Sequence, residues 1–303
     1  MDQEPEIAAR WSAVRKFAGY GAAATMSLYL VVKVTWVAGL LLGQGDPRIR
    51  ADTTDWILLN ALTVAMAAVG IVLGLALAQR WGRRVPGPPL VFFGWLGAGF
   101  LVPMLPYLAV STVIGGGGDE GGSTMPAWEA IFMSIGFAGM AAGTAVGLPI
   151  YMRERWPSAF LDQPRTGRPG RLLAAYVAAC ALGALWLFWT AGGTLGLASG
   201  GLDLNARLLN ATSAIWAFVA VWGTRRIVAG RGPSWVFLSL AFVGTGSLFA
   251  WSAWKLPMAI LRPGDYVPLE QPAVAVIQHL LAITAGAVML AALLPGKDVK
   301  AAP

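Results

Sequence analysis

Charged residues are scarce in this chain, and their scarcity excludes an ordinary soluble domain. Only 12% of the 303 residues are charged, 57% are hydrophobic, and the mean hydropathy is +0.64. A soluble domain usually carries about 25% charged residues. The chain therefore lacks the polar surface that would keep it in water. Its apolar runs are long enough for membrane helices, since about 20 apolar residues span a bilayer.

Cysteine and histidine are almost absent as well. Cys180 is the single cysteine and His279 is the single histidine. One cysteine excludes a disulfide within the chain and a cysteine-based metal site, and a lone histidine disfavours structural zinc. The sequence also lacks a paired-carboxylate or Ser-His-Asp pattern. We therefore expect no metal and no cofactor.

A glycine-rich run at 115–124 does not change this expectation. A phosphate-binding loop needs a preceding strand and a following Lys-Ser/Thr, and neither is present. We interpret the run as a flexible linker between two membrane helices.

The net charge is +7, which in a soluble protein would suggest nucleic acid as a partner. Here the basic residues lie in short loops between apolar runs. We therefore expect cytoplasmic loops that face anionic lipid, with the bilayer and no nucleic acid as partner.

The apolar runs predict an all-α membrane protein, and no period-2 strand pattern competes with them. The first run follows a polar N-terminal segment and is too long for the core of a cleaved signal peptide, so we expect it to be retained. Pro103, Pro106 and Pro257 lie toward the outer helix ends, where proline can kink a helix. The eight predicted transmembrane helices are 17–42, 56–79, 88–113, 127–151, 172–197, 206–229, 235–261 and 272–294.

The loops predict the orientation of these helices. One set of alternate loops carries 16 basic residues and the other set carries four. Short loops rich in Lys and Arg stay in the cytoplasm, so both termini are predicted to lie inside.

The two halves of the chain resemble each other in order. Leu-Leu-Asn-Ala at 58–61 recurs at 208–211, and the Trp-x-x-Gly at 36–39 recurs at 189–192. Gly97 and Gly99 match Gly244 and Gly246. An even number of helices in each copy predicts a parallel repeat. The predicted domains are a cytoplasmic N-terminal segment, a four-helix unit, a cytoplasmic linker, a second four-helix unit and a cytoplasmic tail, at 1–16, 17–151, 152–171, 172–294 and 295–303.

Two stretches of the second half resemble a family of uncharacterised four-helix bacterial membrane proteins. Leu-Phe-Trp-Thr-Ala-Gly-Gly-Thr-Leu-Gly-Leu at 187–197 is similar to the aromatic-Trp-x-x-Gly-Gly-x-x-Gly stretch that ends that family's first helix. Asp-Tyr-Val-Pro-Leu at 265–269 is similar to its Asp/Tyr-Pro-Leu segment before the last helix. The resemblance covers 172–294 and implies a four-helix architecture, here in tandem duplication, without a mechanism.

Arginine exceeds lysine by 17 to 5, and alanine and glycine are abundant. This bias is typical of a GC-rich actinobacterial genome. We therefore expect a multi-pass protein of the bacterial plasma membrane.

A few polar residues interrupt the membrane segments, where ionisable groups are costly and therefore suggest function. All lie toward the outer half, which predicts a polar pocket that opens outward. Purely structural roles are compatible with the same residues. Lys255 and Glu129 can extend to the interface, Asn60 and Asn210 can hydrogen-bond between helices, and His279 can be packed as a neutral ring. The candidate pocket residues are Lys33, Asn60, Glu129, Asn210, Lys255 and His279.

Three functions are compatible with the sequence. The first is binding or transport of a small molecule through the outward pocket. The second is a membrane enzyme that uses Lys33, Glu129 or His279 as acid, base or nucleophile. The third is a structural or accessory subunit without a ligand. The oligomeric state is open as well.

Overall fold

The computed structural model describes residues 3–43, 53–114, 126–160, 169–198, 200–231, 234–263 and 266–294. In these ranges the chain is helical almost throughout and contains no β-strand, as predicted. Two short 3₁₀ helices, Arg80–Arg84 and Pro157–Phe160, follow α2 and α5. The α-helices are α1 Gln3–Leu41, α2 Thr53–Ala78, α3 Gly87–Leu101, α4 Met104–Ile114, α5 Ala127–Arg155, α6 Pro169–Thr190, α7 Leu204–Val228, α8 Ser234–Leu261 and α9 Pro272–Leu293.

Eight helical stretches among the described residues are long and apolar enough to cross a membrane, which confirms the predicted number. The third of them, Gly87–Ile114, consists of α3 and α4 together. Helix α3 ends at Leu101 and α4 begins at Met104, with Pro103 between them. Proline lacks the backbone N–H that would continue the helix, so the span breaks there.

Helix α6 is shorter than predicted. The sequence predicted a helix over 172–197, whereas α6 ends at Thr190. Gly192 and Gly196 have φ angles of 100° and 86°, a backbone region that glycine enters freely and other residues rarely adopt. These two glycines turn the chain out of the helix and into an ordered loop.

The predicted linker at 152–171 is partly helical. Helix α5 continues to Arg155, and a 3₁₀ turn covers Pro157–Phe160. Pro169 opens α6, since a first-turn proline loses no helical hydrogen bond. Residues 161–168 lie outside the described ranges, as does the glycine-rich run at 115–124.

Contacts group the chain into two compact units, and the boundary falls inside α3. Unit 1 comprises Met1–Gly94, Gly118–Tyr151 and Leu261–Val267, and therefore contains α1, α2, the first part of α3 and α5. Unit 2 comprises Trp95–Gly117, Met152–Ile260 and Pro268–Pro303. The division into four-helix units at 17–151 and 172–294 stays a prediction, as do the parallel repeat and the inward termini.

Unit 1 is held together by helices that approach closely at glycines. A Cβ added at Gly136 of α5 would lie 2.7 Å from Cβ of Tyr29, and one added at Gly143 would lie 2.5 Å from the carbonyl oxygen of Ala18. Helix α5 therefore packs closely on α1. Small residues permit such approaches in membrane helices.

Unit 2 has an apolar core that α6, α7, α8 and α9 share. The end of α3 packs on α8 within this unit. A Cβ added at Gly246 would lie 2.6 Å from the carbonyl oxygen of Trp95 and 3.1 Å from Cα of Gly99. Phe100 stacks on Trp251 with ring centroids 4.2 Å apart and an 8° angle between the planes. Gly99 and Gly246, which match in the two sequence halves, thus lie against each other.

Candidate functional site

The loop after α6 is shaped by its own tryptophan. Trp189 is 1% exposed, and its indole Nε1 donates to the carbonyl oxygen of Leu195 at 2.8 Å. The chain can fold back over this ring because Gly192 and Gly196 adopt left-handed φ angles. The stretch 187–197 therefore builds a compact end to α6.

This loop pairs with the segment that precedes α9. Leu197 and Glu270 form an isolated antiparallel β-bridge. Ala198 donates its backbone N–H to Leu269 at 2.9 Å, and Gln271 donates to Gly196 at 2.8 Å. The pairing fixes Glu270 above the helices, at the end of unit 2 that the predicted orientation places outside.

Below Glu270 lies a cavity, which we call the unit 2 cavity. About 480 Å³ of it is free of protein atoms, part of this being open solvent. Its lining comes from α6, α7, α8, α9 and the segment before α9, which meet at the end of unit 2 that the predicted orientation places outside. The lining residues are Trp186, Leu209, Asn210, Ser213, Ser247, Leu248, Trp251, Ser252, Lys255, Glu270, Gln278 and His279.

A chain of hydrogen bonds orients the carboxylate of Glu270. Trp186 donates its Nε1 to Oε1 of Gln278 at 3.1 Å. Gln278, which is 2% exposed, donates its Nε2 to Oε1 of Glu270 at 2.7 Å. A hydrogen bond to a carboxylate is stronger than one between neutral groups, so this relay holds Glu270 in one orientation.

The other polar groups of the cavity come from α7, α8 and α9. His279 is 4% exposed, and its Nδ1 lies 3.3 Å from Oγ of Ser252. Lys255 lies one turn further along α8 than Ser252, and it is half-buried. Asn210 uses its amide Nδ2 to bond the carbonyl oxygen of Ala206 in its own helix, at 2.8 Å.

Unit 1 contains a separate polar group, the unit 1 cluster, made of Tyr29, Lys33, Trp36, Asn60 and Glu129. Lys33 is 8% exposed, and its Nζ donates to Oδ1 of Asn60 at 3.1 Å. The same Nζ lies 4.1 Å from the ring centroid of Trp36 and 5.6 Å from that of Tyr29. A cation over an aromatic face is stabilised electrostatically, and more so where water is excluded.

Trp36 also binds the acid of the unit 1 cluster. Its Nε1 donates to Oε2 of Glu129 at 2.9 Å, and Glu129 is 9% exposed. The ring face of one indole therefore contacts the cation and its N–H contacts the anion. Asn60 in turn donates Nδ2 to the carbonyl oxygen of Trp56 at 2.9 Å. Every charged group of the cluster has a partner inside unit 1.

The six candidate residues thus fall into two groups of three. Asn210, Lys255 and His279 line the unit 2 cavity. Lys33, Asn60 and Glu129 meet in the unit 1 cluster.

Sequence reasoning missed Glu270 and Trp186 as functional residues. Both were visible in principle. Glu270 directly follows the Asp-Tyr-Val-Pro-Leu segment at 265–269, and Trp186 lies one residue before the 187–197 stretch. The family resemblance therefore marked the two places where the cavity is built, although it assigned no role to either residue. The candidate residues were selected as polar groups inside apolar runs, and Glu270 lies in a loop outside these runs, so it was not selected.

The helices of this chain identify it as a multi-pass membrane protein, since eight of its described stretches are long and apolar enough to cross a bilayer. Among the described residues, no group of three or more His, Cys, Asp or Glu side chains is arranged to hold a metal ion. Comparisons with models of protein families, with curated proteins and with solved structures found no match.

Proposed function

We propose that this protein binds a small polar molecule in the unit 2 cavity, from the outer side of a bacterial plasma membrane. One observation carries the proposal. Lys255, Glu270 and His279 line a single cavity in a chain that is otherwise strongly apolar. Concave sites with a few convergent polar groups on an apolar wall are typical of small-molecule binding.

The energetics of burial support a ligand. Polar groups removed from water are costly unless they are hydrogen-bonded, and charges are costlier still. Glu270 and Lys255 are partly buried and bear part of this cost, which apolar side chains of similar volume would avoid. A bound polar molecule would supply the partners that make them favourable.

The proposal concerns binding rather than passage across the membrane. The lining residues of α6, α7 and α9 lie toward the predicted outer ends of these helices, and the lining of α8 reaches inward only to its middle, at Ser247 and Leu248. A transporter also needs an opening toward the inner side, reached by alternating access. A receptor-like or accessory binding role therefore fits the cavity better.

Tandem duplication of a four-helix unit belongs to the same proposal. The contact between Gly99 and Gly246 supports it, because these glycines are equivalent in the alignment of the halves. Equivalent residues touch each other at a two-fold axis, as they do in an isologous dimer. The likeness to bacterial four-helix membrane proteins agrees with this origin.

A membrane enzyme is the second candidate. Ser252 Oγ lies 3.3 Å from His279 Nδ1, and a hydroxyl beside an imidazole is the pairing that activates a nucleophilic serine. An aryl fluorophosphonate, which labels activated serines, distinguishes the two functions. The binding proposal predicts no labelling of Ser252. Labelling of the native protein that is lost in Ser252→Ala would favour the enzyme.

The binding proposal is tested by the access of water to the cavity. In a Cys180→Ala background, Ser213→Cys places a thiol on the cavity wall, at the tenth residue of α7. A membrane-impermeant maleimide added outside intact cells should label it, since a thiol in a water-filled cavity can ionise.

Leu281→Cys is the matched control, because Leu281 is the tenth residue of α9 and is exposed on the helix surface. Its thiol should face lipid and react at least about tenfold more slowly, because a thiol in apolar surroundings stays protonated. Equal rates at the two positions, or no reaction at Ser213→Cys, would contradict an outward-open binding cavity.

A further inference from the structure

The structure points to a small zwitterion of the α-amino-acid type as the ligand of the unit 2 cavity, with its ammonium group at Glu270 and its carboxylate at Lys255. This inference rests on the proposed binding function and adds the ligand's chemical class. It follows from the placement of two opposite charges in one cavity.

The first step is the charge balance of the cavity. Lys255 and Glu270 line the same space, and among the described residues no ion pair joins them or links either to another charged side chain. Their formal charges cancel. An ordinary anion or cation would pair with only one of them. A zwitterion compensates both at once.

The second step concerns the carboxylate of Glu270. Gln278 occupies Oε1, and Trp186 holds Gln278 in place. No hydrogen-bond donor to Oε2 is present in the described part of the chain. An ammonium group carries three N–H donors and can bond Oε2 directly. The indoles of Trp186 and Trp251, which line the same cavity, can add cation–π attraction.

The third step concerns Lys255. Its ammonium carries three donors and no acceptor, so its natural ligand is an anion such as a carboxylate. Lys255 stands on α8, whereas Glu270 precedes α9, so the two charges approach the cavity from different elements. A ligand that carries both charges can contact both side chains at once, whereas a singly charged ligand can pair with only one.

The rest of the cavity wall sets the size and character of the ligand. Leu209, Leu248 and Trp251 give it an apolar side. The volume free of protein atoms is about 480 Å³ and includes open solvent, so it is an upper bound on the space for a ligand. An amino acid with an apolar side chain matches both features, since the side chain can lie on the apolar wall.

Three matched sets of small molecules test this class with the purified full-length protein in detergent. Each set shares one skeleton and differs in charge. The sets are L-alanine, propionate and ethylamine; L-leucine, 4-methylpentanoate and isopentylamine; and L-phenylalanine, 3-phenylpropionate and 2-phenylethylamine. The readout is the midpoint of thermal unfolding, which rises when a ligand binds the folded state.

We expect at least one amino acid to raise the midpoint by roughly 5 °C at a hundredfold excess over its Kd. Its carboxylate-only and amine-only counterparts should raise the midpoint by less than about a fifth of that. Apolar contacts alone would favour all three members of a set, so the difference within a set measures the two charges.

Two charge-removing variants sharpen the test. Glu270→Gln keeps the shape of the side chain, should weaken amino-acid binding about thirtyfold or more, and should shift preference toward the carboxylate of the set. Lys255→Met should produce the opposite preference, toward the amine. Lys33→Met is the matched control, because it removes a lysine of unit 1 and should leave the ligand-induced shift unchanged.

The outcomes separate the ligand class from the binding function. A carboxylate or an amine that stabilises the native protein as strongly as its amino acid would overturn the zwitterion while leaving a binding cavity. No shift from any member of the three sets would overturn the zwitterion. If Ser213→Cys also fails to react, the binding function falls with it.

Discussion

The two polar clusters of this protein have similar ingredients and opposite arrangements. In the unit 1 cluster, Lys33 bonds Asn60 and lies on Trp36, which in turn holds Glu129. In the unit 2 cavity, Lys255 and Glu270 face one space without an ion pair between them. A closed network of charges stabilises helix packing, whereas separated charges around a cavity need an external partner. The comparison therefore supports a structural role for the unit 1 cluster and agrees with the binding that we propose for the unit 2 cavity.

The two clusters differ first in one turn of the helix that carries their tryptophans. Lys33 and Trp36 are three residues apart on α1, so the ammonium reaches the indole on the same helix face. Helix α6 carries tryptophans at both matching positions, Trp186 and Trp189, and no lysine. Trp186 therefore donates to the neutral Gln278. In unit 2 the carboxylate is that of Glu270, which accepts a hydrogen bond from Gln278 at the cavity.

The largest expected effect comes from breaking the closed network. Trp36→Leu removes the ring contact to Lys33 and the donor to Glu129, and it should lower the free energy of unfolding by about 3–5 kcal/mol, because the buried Glu129 loses its hydrogen bond and Lys33 loses its nearest aromatic face. Unfolding of the detergent-solubilised protein by SDS measures this. Trp235→Leu is the control, since Trp235 is 55% exposed. Trp36→Phe keeps an aromatic face for Lys33 but loses the N–H and part of the ring, so an intermediate loss is expected. If Trp36→Leu and Trp235→Leu lower the free energy of unfolding by the same amount, the network does not stabilise the fold.

A steric change in each unit should be next in size. Gly99→Ala and Gly143→Ala each push a methyl group against backbone atoms, of Gly246 and of Ala18, and each should cost about 1–3 kcal/mol. Only Gly99→Ala should also weaken ligand binding, since α8 forms part of the cavity wall. Gly21→Ala is the control, because no atom lies within 4 Å of the added methyl group. Equal loss of binding from both variants would erase the distinction between the units.

The two matching asparagines should differ more modestly. Asn60→Ala removes the acceptor of a buried Lys33 and should cost about 1–3 kcal/mol. Asn210→Ala removes a bond within its own helix and should cost under about 1 kcal/mol, as measured for many polar groups in membrane helices. Thermal and SDS unfolding of both variants give the comparison. A larger loss of unfolding free energy in Asn210→Ala than in Asn60→Ala would contradict the assignment of the closed network to unit 1.

The smallest effect on stability is expected at the proposed site itself. Lys255→Met should change the free energy of unfolding by no more than about 0.5 kcal/mol, because Lys255 has no ion pair to lose among the described residues. The same substitution should abolish the preference for an amino acid over its amine. A destabilisation as large as that of Trp36→Leu would mean that Lys255 is a packing residue.

The general architecture was accessible from the sequence because long apolar runs have few alternatives. The number of spans and the absence of strands in the described ranges were predicted correctly. The end of α6 was not, because hydropathy continues through Leu197 while Gly192 and Gly196 change the backbone direction. Composition does not report φ angles.

The sequence identified the six candidate residues but not how the fold groups them. Each of the six residues was identified as polar within an apolar run, which needs no structure. Whether Lys33 meets Glu129 or Lys255 depends on helix rotation and on which helices pack, and a residue's depth in the membrane does not contain that information. Glu270 escaped because its position depends on backbone pairing between two loops, at Leu197 and Leu269.

One measurement tests the contrast between the units most directly. Thr63 and Ser213 each lie three residues after the asparagine of a Leu-Leu-Asn-Ala sequence, one beside the unit 1 cluster and one on the unit 2 cavity. With Cys180→Ala in both, the rate of external maleimide labelling of Thr63→Cys and Ser213→Cys is compared with and without L-leucine. The account predicts fast labelling at Ser213→Cys that L-leucine slows, and almost none at Thr63→Cys under either condition. Equal labelling at both positions, indifferent to the amino acid, would contradict it.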